Sequence, residues 1–298
     1  MTSTRFCDLV GCRLPLQLAG MGGVGSTALA VSVARAGGLA MLPVLGDVPV
    51  VQRVTEVRAS GVVGVNVLMP FAALQVDAIE GAVAAGARVV EFFYDDPQAA
   101  LVERVHDAGA LACWQTGSLD EARAAVDAGC DLVVVQGVEA GGHVRGTVPL
   151  DELLGATVDA DLGVPVVAAG GIATRERVQE VLRAGADAVR IGTRFVATPE
   201  ADAHPGYRRG LVDAGSGDTV LTTAFGNGWP DAPHRVLASS VDAAERLPDD
   251  APARFSPNPP TSTYRGDPMS AALYAGTGVG EITSIEPADD IVTRLFSD

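Results

Sequence analysis

The 298-residue chain has no lysine: all 21 of its basic residues are arginine. Schiff-base aldolases, covalent pyridoxal-phosphate enzymes and lysine-dependent P-loops are thereby excluded. Charged residues are also few, at 19%, while hydrophobic ones reach 48%, so the chain can bury a large core and is not disordered. The charge is lopsided. A formal value of −16 leaves no basic face for nucleic acid or an anionic membrane. Phosphate binding through backbone N–H groups stays open, because it needs no net positive charge. The four cysteines (Cys7, Cys12, Cys113 and Cys130) have no CxxC spacing. Cys113 and Cys130 lie in or beside strand-like stretches and read as small buried thiols. No apolar run approaches the roughly 20 residues of a membrane span, and no signal-peptide pattern opens the chain, so a cytoplasmic protein is expected.

What the sequence does have is a repeating alternation. Apolar, strand-like runs fall at 14–19, 39–44, 62–67, 88–94, 110–115, 132–136, 164–169 and 188–195. Helical spacing fills the intervals at 27–35, 50–59, 72–85, 98–108, 119–128, 151–159 and 175–184. Ala-Gly pairs at 36–37, 85–86, 108–109, 128–129 and 184–185 each sit where a helix should end before a strand, since glycine accepts the left-handed conformation that closes a helix. Eight such units predict an α/β fold, a parallel (β/α)8 TIM barrel rather than an open doubly wound sheet. The segment Gly20-Met21-Gly22-Gly23-Val24-Gly25 matches the dinucleotide fingerprint only loosely. Beyond Phe195 the alternation fades into a partly helical extension, residues 199–298, packed on the barrel within a single domain spanning 1–298. Pro248–Pro268 reads as an extended surface loop, and Ala271–Tyr274 and Ala288–Phe296 as closing helices. These tail helices either close the barrel or pair two copies in a homodimer.

In a parallel barrel the loops after the strands' carboxyl ends build the site. Here those ends carry Gly20-Met21-Gly22, Asn66, Gln115, the loop Gln136–His143, Gly170-Gly171 and Gly192-Thr193. Glycine turns after the seventh and eighth runs predict a phosphate cradle made of backbone. The neutral amides of Asn66 and Gln115 suit the carbonyl and N–H edges of a flat heterocycle. One phosphate site and a planar ring point to FMN rather than a dinucleotide. His143, delivered by a Gly-Gly turn after a buried strand, is the candidate proton carrier. Glu139 is expected to shape the loop or orient His143. His106, His204 and His234 read as satisfied polar residues on the surface. No histidine pair has metal-ligand spacing with carboxylates, so no catalytic metal is expected.

Four ordered segments carry a family likeness. Gln17–Gly23 with Ala36-Gly37-Gly38-Leu39 and Gly64-Val65-Asn66 resembles the front of the nitronate monooxygenase family. Gln136-Gly137-Val138-Glu139-Ala140-Gly141-Gly142-His143 is similar to that family's QGxEAGGH signature, and Ala168–Ile172 and Gly192–Phe195 resemble its phosphate-binding segments. The likeness runs from about Leu14 to Thr198 and resumes weakly over 274–292.

The resemblance implies an FMN-containing TIM barrel. Gly20, Met21, Gly22 and Gly142 would lie against the flavin, with Asn66 and Gln115 at its polar groups. Gly170, Gly171, Gly192 and Thr193 would hold the phosphate, and His143 would be the active-site histidine. Phe225, Trp229 and Tyr264 are candidates for shaping the substrate pocket. The implied activity is oxidation of alkyl nitronates or nitroalkanes by O2 to a carbonyl compound and nitrite. Two rivals share the cradle: an NAD(P)H-dependent FMN reductase of quinones or enoyl thioesters, and a non-redox isomerase or lyase of a phosphorylated sugar.

Overall fold

The computed structural model describes residues 3–44, 49–74 and 76–297. Eleven strands are present among them: β1 (Leu16–Leu18), β2 (Ala40–Pro43), β3 (Val63–Leu68), β4 (Val89–Phe93), β5 (Leu111–Thr116), β6 (Leu132–Gln136), β7 (Gly142–His143), β8 (Val166–Ala169), β9 (Ala188–Ile191), β10 (Thr219–Thr222) and β11 (His234–Leu237). Eight form one parallel sheet in the order β1-β9-β8-β6-β5-β4-β3-β2. Its two ends meet. The Leu18 N–H donates to the Leu39 carbonyl at 2.9 Å and the Leu39 N–H to the Leu16 carbonyl at 2.8 Å, so the sheet curls into a barrel with helices between successive strands. The expected (β/α)8 architecture is therefore the one observed.

The punctuation works as the sequence suggests. Gly37, Gly86, Gly109, Gly129 and Gly185 all take φ between 91° and 109°, a region where only glycine avoids a Cβ clash. Each ends a helix and turns the chain into the next strand. The helix expected over 72–85 is split into a 3-10 turn, Met69–Leu74, and a helix, Val76–Ala85; Gln75 between them lies outside the described residues.

Side chains alternate across each strand, and the inward-facing set changes character along the barrel. Toward the amino ends of the strands it is apolar: Leu39, Met41, Val89, Cys113, Leu132, Val134, Val167 and Ala188 pack together. A short helix, Arg5–Val10, plugs this end with Phe6, Cys7 and Val10. Toward the carboxyl ends the inward set becomes polar, with Gln17, Asn66, Glu91, Gln115, Gln136 and Arg190 all buried. A layer of polar side chains over an apolar plug gives the barrel a chemically distinct floor at its carboxyl face.

The extension departs from its helical expectation. Pro205–Asp213, Ala238–Glu245 and Ala288–Phe296 are helices, but β10 and β11 pair antiparallel, and β11 pairs in turn with β7. Ala271–Tyr274 is not a helix. Leu237 donates its N–H to the Leu273 carbonyl at 2.9 Å and Ala275 to the Arg235 carbonyl at 3.2 Å, so the segment lies along β11. Four residues closed by Gly276 cannot repay helix nucleation, whereas a strand edge offers ready partners. The strand expected over 188–195 likewise stops at Ile191, because the chain turns at Gly192 into a single helical turn, Thr193–Val196.

Candidate active site

The carboxyl face of the barrel opens into a cavity of about 760 Å³, inside the roughly 300–1,000 Å³ range of small-molecule sites. Gly20, Met21, Gly22, Asn66, Gln115, Gly142, His143, Gly170, Gly171, Gly192 and Thr193 all line it. The sequence expectation thus converges on one place. How each residue is held there follows from local chemistry.

The loop after β1 is fixed by Arg53, whose buried guanidinium donates to the carbonyls of Gly25 and Pro43, the latter at 3.2 Å. A Cβ on Gly20 would run into the Asn66 side chain, so glycine is what lets this loop pass over β3. On Gly22 or Gly142 a Cβ would meet nothing within 4 Å, which leaves the wall beside them flat and open. Gly170 and Gly171 adopt φ of 118° and 67°, aiming consecutive backbone groups around a tight bend after β8. Thr193 accepts a hydrogen bond from the Gly276 N–H at 3.1 Å, tying the last barrel loop to the extension. Gly276 and Gly278 press against Gly141 and Gly171, where a Cβ would strike backbone.

The signature loop is stapled at both ends. The Gln136 amide donates to the His143 carbonyl at 3.0 Å and accepts from the Arg145 N–H at 3.4 Å. Both carboxylate oxygens of Glu139 take the Leu150 N–H, at 3.0 and 3.2 Å, so Glu139 caps the helix Leu150–Asp159. Its role is to shape the loop; it does not orient His143. Arg235 grips the Val138 carbonyl with two nitrogens at 3.0 and 2.8 Å. β7 then lays His143 opposite His234 of β11.

His143 sits in an aromatic enclosure. Trp229 stacks on it with centroids 4.0 Å apart and planes 22° from parallel, and Tyr94 meets both rings edge-on. Tyr94 holds φ at 78°, an uncommon value for a bulky residue. Burial, with a smaller contribution from His234, pushes the His143 pKa down to about 3. The ring is therefore neutral at ordinary pH. Among the described residues, none hydrogen-bonds to its nitrogens.

His234 is a correction to the surface reading. It is fully buried, its Nδ1 donating to the Ala232 carbonyl at 2.9 Å and its Nε2 accepting from the Phe225 N–H at 3.1 Å. Both nitrogens are engaged in the neutral form, and burial lowers its pKa as well. His204 does behave as a satisfied residue, capping the helix Pro205–Asp213, and His106 pairs with Asp131. Of the tail aromatics, Trp229 and Tyr264 line the cavity, whereas Phe225 packs behind His234. Tyr94, Tyr274 and the floor residues Glu91 and Arg190 were not foreseen from the sequence. Pro257, Asn258, Pro259 and Thr261, expected in a surface loop, also line the cavity.

This site has close parallels. A family profile described as nitronate monooxygenase matches residues 3–298. The chain belongs to the nitronate monooxygenase family. Nitroalkane oxidase from Streptomyces ansochromogenes superposes with a TM-score of 0.80 at 31% identity, covering 98% of this chain and 96% of that one. FabK from Thermotoga maritima gives 0.85 at 28% identity over 99% and 95%. The chain is also 33% identical over 257 residues to the (3aS,4S,5R,7aS)-5-hydroxy-7a-methyl-1-oxo-octahydro-1H-indene-4-carboxyl-CoA dehydrogenase of Mycobacterium tuberculosis, an alignment covering 84% of this chain and 70% of that enzyme. It spans 42% of a probable nitronate monooxygenase from Bacillus subtilis and 62% of the Pseudomonas aeruginosa enzyme. Nitronate monooxygenases are flavin-dependent oxidoreductases, which removes the non-redox isomerase or lyase from consideration.

The cavity fits such a cofactor. It offers a flat glycine wall, a backbone cradle at the β8 and β9 ends, and a buried amide oxygen, Oε1 of Gln115, with no hydrogen-bond partner among the described residues. An orphaned acceptor that deep calls for a donor from a ligand.

Proposed function

We propose that the protein binds FMN in this cavity and oxidises alkyl nitronates or nitroalkanes with O2 to a carbonyl compound and nitrite. The observation that carries the reading is the neutral His143, stacked on Trp229 at the side of a glycine-walled cavity, its ring nitrogens without a hydrogen-bond partner among the described residues. When bound, FMN supplies the electron transfer and the reaction with oxygen.

The chain's residues do the rest. Gly170, Gly171, Gly192 and Thr193 hold the phosphate. Gly20, Met21, Gly22 and Gly142 form the wall along the ring, and Asn66 and Gln115 meet its polar edge. His143, uncharged, accepts the α-proton of a nitroalkane or donates a hydrogen bond to an anionic nitronate. Trp229, stacked on the histidine and backed edge-on by Phe71, and Tyr94, edge-on to the histidine, exclude water from that exchange.

A second reading is an NAD(P)H-dependent FMN reductase of enoyl thioesters or quinones. What favours it is the His143 pKa of about 3, which makes the free site a weak base, together with likeness to a dehydrogenase of a CoA thioester. The two separate in one anaerobic experiment on FMN-loaded protein. Bleaching of the visible flavin band by propyl-2-nitronate and not by NADPH supports the monooxygenase. Bleaching by NADPH alone transfers the function to the reductase, and failure to bind FMN refutes both.

A further inference from the structure

The floor of the cavity contains a charge pair that the sequence did not announce. Arg190, on β9, and Glu91, on β4, point into the barrel from opposite sides, with side-chain exposures of 7% and 0%. Glu91 is saturated. Oε2 accepts from the Gln17 amide at 2.6 Å, and Oε1 accepts from the Asn66 amide at 2.7 Å while also contacting Arg190 Nη1. Arg190 is not. A guanidinium carries five N–H donors, and among the described residues its only polar side-chain partner is that one carboxylate oxygen; its Nη1 has no hydrogen bond of good geometry. It lines the cavity three residues before Thr193.

An ion pair this deep is costly unless its remaining donors are satisfied. Replacing a buried ion pair by well-packed aliphatic side chains is often neutral or stabilising. Here one partner is tied down by three neighbours and the other is left with donors facing the cavity. That asymmetry describes a cation held in place for a ligand with negative charge or strong acceptor oxygens.

We propose that Arg190, positioned by Glu91, is the group that stabilises the reduced flavin. The inference rests on the FMN reading above. Uptake of two electrons and one proton leaves the flavin ring with one negative charge, the electrons coming from substrate in turnover or from dithionite in a titration. In a chain without lysine, an arginine at the cavity floor supplies the compensating charge. Glu91 acts through Arg190, as a positioning residue. Asn66 takes part on both sides: its N–H serves Glu91, leaving its carbonyl oxygen as an acceptor.

The test is the two-electron midpoint potential of bound FMN, measured against reference dyes in FMN-loaded wild type, Arg190→Gln, Glu91→Gln and Arg190→Lys. FMN stoichiometry and the dissociation constant for oxidised FMN are measured separately. Arg190→Gln should weaken the preference for reduced over oxidised FMN at least tenfold, about 30 mV for a two-electron couple. Glu91→Gln, which removes the neutralising charge, should shift the potential in the opposite direction. Arg190→Lys keeps the charge and should stay nearer wild type than Arg190→Gln, even if the glutamine variant folds poorly. Opposite signs at the two partners cannot arise from general damage to the barrel. Shifts of the same sign, or no shift at either residue, overturn the proposal. Wild type that binds no FMN would overturn the cofactor reading itself, and this inference with it.

Discussion

Trp229→Ala should change the acid–base behaviour of His143 before it changes anything else. The indole covers one face of the imidazole at 4.0 Å, and burial is the first cause of the fall in its pKa from 6.5 to about 3. Removing the indole lets water reach that face and reduces the cost of the imidazolium. Recovery of even one pH unit corresponds to about 1.4 kcal/mol, modest against the free energy of desolvating a charge. We therefore expect the His143 pKa to rise above about 4.5 in Trp229→Ala and to stay low in Trp229→Phe, where a flat ring remains. The assay is an NMR titration of the imidazole Cε1–H signals, with His143→Asn assigning the resonance. The pH dependence of kcat/KM should move in parallel. An unmoved pKa in Trp229→Ala, or an equal rise in Trp229→Phe, would refute the claim that stacking against this residue keeps His143 neutral.

Three further outcomes follow from the same geometry. Gly20→Ala places a methyl group against Asn66; FMN affinity should fall at least tenfold, on the order of 1.4 kcal/mol, while circular dichroism stays native, and unchanged affinity would remove this loop from the cofactor wall. Glu139→Ala uncaps the helix Leu150–Asp159 and should cost about 1 kcal/mol in chemical denaturation, with the His143 titration unaltered; a shifted titration would restore an orienting role. His143 is neutral in the fold well below its unfolded pKa of 6.5, so between pH 6.5 and about 3 the unfolded chain binds the extra proton and stability drops as pH falls. His143→Phe should reduce that slope by about 1.4 kcal/mol per pH unit, and an unchanged slope would show that the histidine is protonated in the native state.

The barrel was legible because parallel strands buried on both faces read as short apolar runs, and because five of its helices end in an Ala-Gly pair whose glycine takes positive φ. The glycine turns and His143 were legible for a related reason: a backbone cradle leaves its mark as glycine at strand ends. The enclosure around His143 left no such mark. Trp229 lies 86 positions along the chain from it and reaches it only because β11 pairs with β7, and a two-residue strand, Gly142–His143, has no hydrophobic period to detect. His234 looked like a polar residue beside a proline, yet pairing with β7 buries it and fixes its tautomer through Ala232 and Phe225. Glu91 and Arg190 were hidden differently. Each sits inside an apolar run, Val89–Phe93 and Ala188–Ile191, where a lone charge looks like an exception to the strand pattern rather than part of a site. Barrel closure alone makes them neighbours, since β4 and β9 share no edge. What a sequence conceals in this architecture is therefore whatever depends on opposite strands meeting across the interior. The charged floor, which no single strand can express, belongs to that class.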